Sequence, residues 1–492
     1  MTAIPADRQD SSPYADAVRA FADQGRARFT TPGHQGDHDA QPMLARWLAD
    51  DPLALDVQPS VDGIDHGPDN PMQRSLALAA EAWGASRTWF LANGSSQGNQ
   101  TACLAVAGLA GGGGGTVVAQ RSVHSSVVDG LMLSGLVAEF VAPDVDHVLG
   151  IAHGVSAGTV EAALRAHPGA VAVYVVSPSY FGSCSDVARL AEVAHAHDAA
   201  LVVDEAWGAH LGFHPELPSN AVRLGADLAI ASMHKLGGSL SQTALLHLGH
   251  GPWAQRLEPL VERAFRALQS TSECSLLLGS LDLARRRLAS SGEAAVGRSL
   301  DAVARLRARI AADGRFRDAG PAMLAFPDVV ALDPLHVVID TRSGGISGHE
   351  ARALLFRELG HHVEMSTDDV IVAIVGAGAA HDVDAFADAL LALPRDGGAT
   401  REHIELPDPG PRRMSVRDAW FAPSEVVAAS AAVGRVSADS VAAYPPGIPN
   451  LMPGEEVTAA TLHFLQRTAA TPHGWVRGAV DDAVGRVRVV AG

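Results

Sequence analysis

Ala200-Leu201-Val202-Val203-Asp204 and, further on, Leu228-Ala229-Ile230-Ala231-Ser232-Met233-His234-Lys235 are the two runs on which the reading of this chain turns. Each opens as a short, unbroken apolar run, and each leads to a group that carries chemistry. Such runs, separated by stretches of helical period, are the mark of buried strands in βαβ units. Asp204 and Lys235 lie 31 positions apart, room for one crossover helix and the next strand. A parallel sheet would place both at its carboxyl edge, where ligands gather. A lysine there is desolvated, loses part of its preference for the ammonium form, and can form a Schiff base. A carboxylate closing a buried strand needs a partner.

The same alternation extends in both directions. Strands are predicted at residues 88–92, 116–119, 138–142 and 170–176 as well as 200–203 and 228–231. Residues 186–197 have helical period, with Val187, Leu190, Val193 and Ala194 on one face. A long helix is expected over 261–312. A smaller α/β unit follows, with strands at 335–340, 361–365 and 370–375 and a helix over 348–359. Residues 395–415, rich in Pro, Gly and charge, read as a linker. The expected organisation is an arm over 1–27, a major domain over 28–315, a small domain over 316–400 and a C-terminal α+β domain over 401–492. Prolines in Tyr444-Pro445-Pro446-Gly447-Ile448-Pro449 and Pro453-Gly454-Glu455 predict extended, turn-rich loops there.

Composition narrows the function. The 492 residues are 47% hydrophobic and 19% charged, the profile of a globular chain too long for one core. A net charge of -18, without a Lys/Arg stripe, argues against nucleic acid or an anionic membrane as partner. It suits attraction of small cations. Three cysteines, Cys103, Cys184 and Cys274, have no paired spacing, so neither a disulfide framework nor a zinc site is expected. No apolar signal core opens the chain, and no window holds the ~18 unbroken apolar residues of a membrane span. The expected location is the cytoplasm.

Two further groups stand at predicted strand ends. Asn93-Gly94-Ser95-Ser96-Gln97-Gly98-Asn99 follows the strand at 88–92 and precedes a helix expected from Gln100. Glycine and hydroxyls at such a turn suit a phosphate, although an ordinary helix cap has the same composition. His124, in Arg121-Ser122-Val123-His124, follows the strand at 116–119; one histidine among 22 can equally be structural. Asp204 alone reads as a cap or metal ligand too. Asp-Glu-Ala also occurs in helicases, but no phosphate-loop motif stands upstream. Together, an anion site, an imidazole, a carboxylate and a lysine, each after a different strand, match the needs of pyridoxal phosphate. Phosphate would sit on the Gly-Ser-Ser turn, His124 against the ring, Asp204 at the pyridine nitrogen and Lys235 at the aldehyde.

The chain resembles the ornithine/lysine/arginine decarboxylases of fold type I, the aspartate-aminotransferase fold. The matching strings are Thr31-Pro32-Gly33-His34, Arg121-Ser122-Val123-His124, Ser177-Pro178-Ser179-Tyr180-Phe181-Gly182, Asp204-Glu205-Ala206-Trp207-Gly208-Ala209-His210, and the segment from Ser232 to Gln242. Others are Ser270-Thr271-Ser272 with Ser280-Leu281-Asp282, Val363-Glu364-Met365, and the proline loops near 444–455. The likeness is greatest to short members without an N-terminal wing. It implies an α/β fold with a mostly parallel seven-stranded sheet, a small α/β domain and a C-terminal α+β domain. It implies a homodimer with active sites at the subunit interface. By the same resemblance Gly94, Ser95, Ser96, Gln97, His124, Asp204, Trp207, Ser232, His234 and Lys235 hold the cofactor. Ser270, Thr271 and Ser272 would reach the neighbouring subunit's cofactor phosphate.

Departures fall near the expected substrate entrance. Gln35 and Ser125 stand where the family usually has lysine, and Thr271-Ser272-Glu273-Cys274-Ser275 replaces a tyrosine-containing string. The usual Leu-His-x-Pro-x-Gly region reads Ile64-Asp65-His66-Gly67-Pro68-Asp69-Asn70. The resemblance implies decarboxylation of arginine, lysine or ornithine, with Lys235 or His234 returning the proton. Glu273, Glu364 and Glu455 are candidates for binding a cationic side chain. Fold type I also hosts aminotransferases and carbon–carbon lyases, and a non-catalytic cofactor-binding scaffold is a third reading.

Overall fold

A computed structural model describes residues 8–49, 52–111, 114–378, 382–394, 406–444, 448–471 and 474–492. Its centre is a seven-stranded sheet. The strands are β1 (Arg87–Leu91), β2 (Thr116–Gln120), β3 (Val137–Val141), β4 (Ala170–Val176), β5 (Ala200–Asp204), β6 (Leu228–Ala231) and β7 (Ala244–Leu248). In space they run β1-β7-β6-β5-β4-β2-β3. Neighbours from β6 to β3 pair in parallel, and β7 is antiparallel to both β1 and β6.

The sheet is covered on both faces, which is why its strands read as unbroken apolar runs. Ala200 and Val202 of β5 face Ala102, Val106, Val127, Leu131 and Leu257, from helices Gly94–Leu109, Ser125–Ser134 and Ala254–Leu268. Leu201 and Val203 face Val160, Leu164, Leu190 and Val193, from helices Ala157–Ala166 and Val187–Ala196. Each such Leu or Val contributes roughly 1.5–3 kcal/mol on burial.

Four expectations are corrected. Strand β7 was not anticipated: Ala-Leu-Leu-His-Leu is buried throughout, but His247, held by Thr88 Oγ1 at 2.8 Å, interrupts its apolar run. The crossover from β5 to β6 contains turns and no helix. The helix expected over 261–312 is two, Ala254–Leu268 and Ser275–Asp313. Between them Ser272 N–H donates to Ser270 Oγ (3.1 Å), a side-chain bond that competes with helix continuation. The strand expected at 361–365 is reduced to Met365–Ser366.

Helix Ser275–Asp313, about 58 Å long by its 39 residues, spans two cores. Leu278, Leu281 and Leu288 pack with Tyr14, Val18 and Trp83. Val296, Val303, Leu306 and Ile310 pack with Val337, Ile339, Ile371 and Val372 of a four-stranded antiparallel sheet. That sheet is ordered Arg317–Asp318, His336–Asp340, Val370–Ile374, Met365–Ser366. Beyond residue 415 lie small sheets and helices around Leu451, Val457, Leu465 and Val489. Of the proline loop, Pro445, Pro446 and Gly447 lie outside the described residues. Among the described residues no helix is long and apolar enough to cross a membrane.

Candidate active site

The carboxyl edge of the sheet brings together most of the groups expected there. Helix Gly94–Leu109 begins six residues earlier than the expected Gln100, so Ser95, Ser96 and Gln97 occupy its first turn. Asn93 makes no side-chain cap, leaving first-turn N–H groups for a ligand. Ser95 Oγ lies 2.6 Å from Ser232 Oγ, at the end of β6. Gly98 fixes how closely the helix approaches the sheet: a Cβ there would meet Ile230 Cγ2 at 2.6 Å and Leu91 Cδ1 at 3.0 Å. Gln242 tethers the turn from the other side. Its carbonyl accepts from Gly94 N–H (2.9 Å) and its amide donates to Asn93 Oδ1 (3.0 Å). It pays for this with a left-handed backbone, φ 72°.

Lys235 sits in a single wide turn, Met233–Gly237, that leaves β6. Its Nζ lies 3.8 Å from the centroid of the Trp207 ring. Burial lowers its pKa from 10.5 to about 8, against the opposing charges of Asp204 and Glu364. Trp207 is buried, with Tyr180 and His336 against its ring at 6.3 and 5.4 Å. His234 Nδ1 lies 3.2 Å from the Thr243 carbonyl, and burial lowers its pKa too.

Asp204 closes β5 and is 2% exposed. Its Oδ2 accepts from Asn99 Nδ2 (2.8 Å) and its Oδ1 from Ala206 N–H (3.1 Å). Burial raises its pKa; the Asn99 bond, Lys235 and Ala206 oppose that rise. His124 caps helix Ser125–Ser134, with its Nδ1 facing Ser126 Oγ (2.8 Å) and Ser126 N–H (3.2 Å). Burial, Lys235 and Arg477 press its pKa down to about 3. Asn99, Ser126 and Tyr174 join these groups into one network, although none was singled out as a site residue from sequence. Arg477 enters from the C-terminal region and donates to Ser125 Oγ at 3.3 Å.

Other expected residues lie apart. Gln97 turns away: its Nε2 donates to Gln269 Oε1 (2.5 Å) and its Oε1 accepts from Asn93 N–H (3.2 Å). Ser270, Thr271 and Ser272 are exposed. Glu273 lies near Tyr14, Asp56 and Asp65; burial and then these acids push the Tyr14 phenol up. Glu364 is exposed, and its charge reaches Lys235 and His234. Glu455 is a correction. It is buried, and Arg121 Nε and Nη2 donate to its two oxygens at 3.0 and 2.9 Å. Met452 N–H donates to Oε2 as well (2.8 Å). Its charge is matched by Arg121, so it is an internal ion-pair partner and not an open acidic lining.

These groups form a donor set of known use: an anion site made of backbone N–H groups and two hydroxyls, a buried carboxylate, a neutral imidazole and an amine near neutrality. The Orn/Lys/Arg decarboxylase major-domain model matches residues 12–360, and the C-terminal-domain model matches 414–473. The chain belongs to the Orn/Lys/Arg decarboxylase family. An arginine decarboxylase of Halalkalibacterium halodurans is 33% identical over 98% of both chains. An arginine decarboxylase of Bacillus subtilis is 32% identical over the same share of each. The structure of lysine decarboxylase A from Pseudomonas aeruginosa superposes with a TM-score of 0.82 at 21% identity, over 98% of this chain and 80% of that one. The fold is therefore fold type I. The enzyme is a decarboxylase of basic amino acids; an aminotransferase, another carbon–carbon lyase or a non-catalytic scaffold is not favoured.

Proposed function

We propose that the enzyme removes the α-carboxylate of arginine, using pyridoxal phosphate held by Ser95, Ser96, His124, Asp204, Trp207, Ser232, His234 and Lys235. The observation that carries this reading is Lys235, an amine with a pKa of about 8, beside a buried carboxylate and an uncapped helix N-terminus. The residues fit the group in charge and in donor type. When bound, pyridoxal phosphate supplies an electron sink for the pair left by carbon dioxide.

The chain's own residues do the rest. First-turn N–H groups and the Ser95 and Ser232 hydroxyls bind a phosphate dianion. Asp204 holds a positive charge at a ring nitrogen, which its own hydrogen bonds leave it free to face. The Trp207 ring holds Lys235 Nζ and excludes water from one side. Lys235 Nζ and the His234 imidazole are the two groups that can hold a proton for return to the α-carbon. Glu364, whose charge reaches Lys235, is our candidate for the guanidinium of the substrate. Ser270, Thr271 and Ser272 are exposed and Glu273 half-buried on a segment that starts at Gln269, against the helix carrying Ser95. We assign that segment to the site of a second subunit in a homodimer, with Glu273 as a further acidic contact.

Arginine is preferred over lysine and ornithine because the relatives at 32–33% identity along 98% of the chain are named for arginine. Carbon dioxide release from the three amino acids tests this. Arginine should lead in kcat/KM by about tenfold or more, roughly 1.4 kcal/mol of discrimination. Glu364→Gln should raise KM for arginine more than it lowers kcat. Equal turnover of lysine would remove the assignment of arginine.

A further inference from the structure

We infer that Asn99 sets the charge of the two groups flanking the site, keeping Asp204 a carboxylate and His124 a neutral imidazole with its proton on Nε2. It would act as a positioning residue, through Asp204 and His124, without touching the substrate.

A count of hydrogens leads to this. Asn99 is 1% exposed, and its amide has two N–H groups and one carbonyl. One N–H goes to Asp204 Oδ2 (2.8 Å) and the other to Ser126 Oγ (2.9 Å). The carbonyl accepts from the Tyr174 hydroxyl (2.7 Å). Turned over, the amide would set its oxygen against the Asp204 carboxylate, so its orientation is fixed. Ser126 Oγ, accepting from Asn99, has one hydrogen to give, and its remaining partner is His124 Nδ1 at 2.8 Å. Ser126 N–H also points at Nδ1, at 3.2 Å. A nitrogen that faces two donors carries no proton. The imidazole proton therefore resides on Nε2, the nitrogen free of this network.

The charges nearby agree. Lys235 and Arg477 both disfavour a second proton on His124. At Asp204, burial favours the neutral acid, and the Asn99 bond is the largest effect opposing it, ahead of Lys235 and Ala206. Tyr174 keeps its hydrogen, since burial raises its pKa well above the ordinary value. Asn99 thus donates towards a site it needs charged and, through Ser126, towards one it needs neutral.

The inference rests on reading Asp204 and His124 as cofactor residues, but the tautomer is a property of the protein alone. It is read by nitrogen NMR on histidine-labelled protein without cofactor, with His124 identified by difference from His124→Gln. The wild type should show an unprotonated Nδ1 and protonated Nε2 from roughly pH 5 to 9. Ser126→Ala leaves the Ser126 N–H on Nδ1, so it should only raise the share of the Nδ1-protonated tautomer, and it should change cofactor affinity less than about threefold, because the Asn99–Asp204 bond survives. Asn99→Leu should mix the tautomers and also weaken cofactor binding by about tenfold or more. Should Asn99→Leu fail to fold, Asn99→Ala, which removes the same two N–H donors in a smaller side chain, should give the same two changes. A protonated Nδ1 in the wild type, or a His124 spectrum unmoved by these variants, overturns the inference. Failure of any cofactor to bind overturns only the proposed function.

Discussion

Glu455→Ala should destabilise the protein by about 3–5 kcal/mol and leave substrate affinity untouched. The ion pair it breaks joins the end of β2 to the C-terminal region, 334 residues apart in sequence. Arg121 and Glu455 are both buried, at 8% and 4% exposure. Removal of the carboxylate leaves the guanidinium with its bond to the Pro449 carbonyl (2.6 Å) and its approach to the Phe140 ring (5.8 Å). Met452 N–H loses its acceptor as well. An uncompensated buried cation plus an orphaned donor accounts for the upper part of the range. Glu455→Gln keeps one acceptor oxygen and should cost less. The double variant Arg121→Met/Glu455→Met should lose less than the sum of the two single variants, since it leaves no charge stranded. Chemical denaturation of the wild type, Glu455→Ala, Glu455→Gln, Arg121→Met, Glu455→Met and the double Met variant, beside KM for arginine, gives the comparison. Near-native stability of Glu455→Ala with a raised KM would refute the structural role and restore Glu455 to the substrate.

The lowered pKa of Lys235 predicts a pH profile. The neutral amine is the nucleophile, so covalent capture of cofactor by cofactor-free protein should quicken about tenfold per pH unit and level off near pH 8. Stopped-flow absorbance reads it, and a plateau only above about pH 10 would mean an ordinary, solvated lysine. Asp328 gives a second. Burial and then Asp144 raise its carboxyl from 3.8 to about 6. A raised acid stabilises the fold fully below 3.8 and loses that contribution as pH rises through about 6. Asp328→Asn should therefore gain on the order of 1–2 kcal/mol at neutral pH, after allowance for solvent screening, and little or nothing near pH 4. Equal effects at both pH values would contradict the linkage.

How much of this was legible in the sequence depends on range. Asp204, His124 and Lys235 could be read because each lies at or within five residues of the end of an apolar run, where chemistry-bearing groups gather in a parallel sheet. Their partners could not. Asn99 lies inside a helix, and nothing local separates a hub from a buried amide. Glu455 looked available because its cation, Arg121, is remote in the chain. The break at Ser270-Thr271-Ser272 was visible as a motif yet absorbed into a helix, since Arg/Leu periodicity resumes on either side. Strand β7 escaped because His247, whose partner Thr88 is remote in the chain, breaks the unbroken apolar run by which the other buried strands are read. The crossover after Asp204 was assumed helical from its length alone, and turns fill it.

The central claim is that Lys235 is the residue to which the cofactor attaches during arginine decarboxylation. Borohydride reduction of the cofactor-loaded enzyme, followed by peptide mapping, tests it most directly. The label should fall on the peptide carrying Ser232-Met233-His234-Lys235, at one per chain, and vanish in Lys235→Ala together with carbon dioxide release. Absence of reduced label at Lys235, the chain's single lysine, or arginine turnover surviving in Lys235→Ala, would contradict the account.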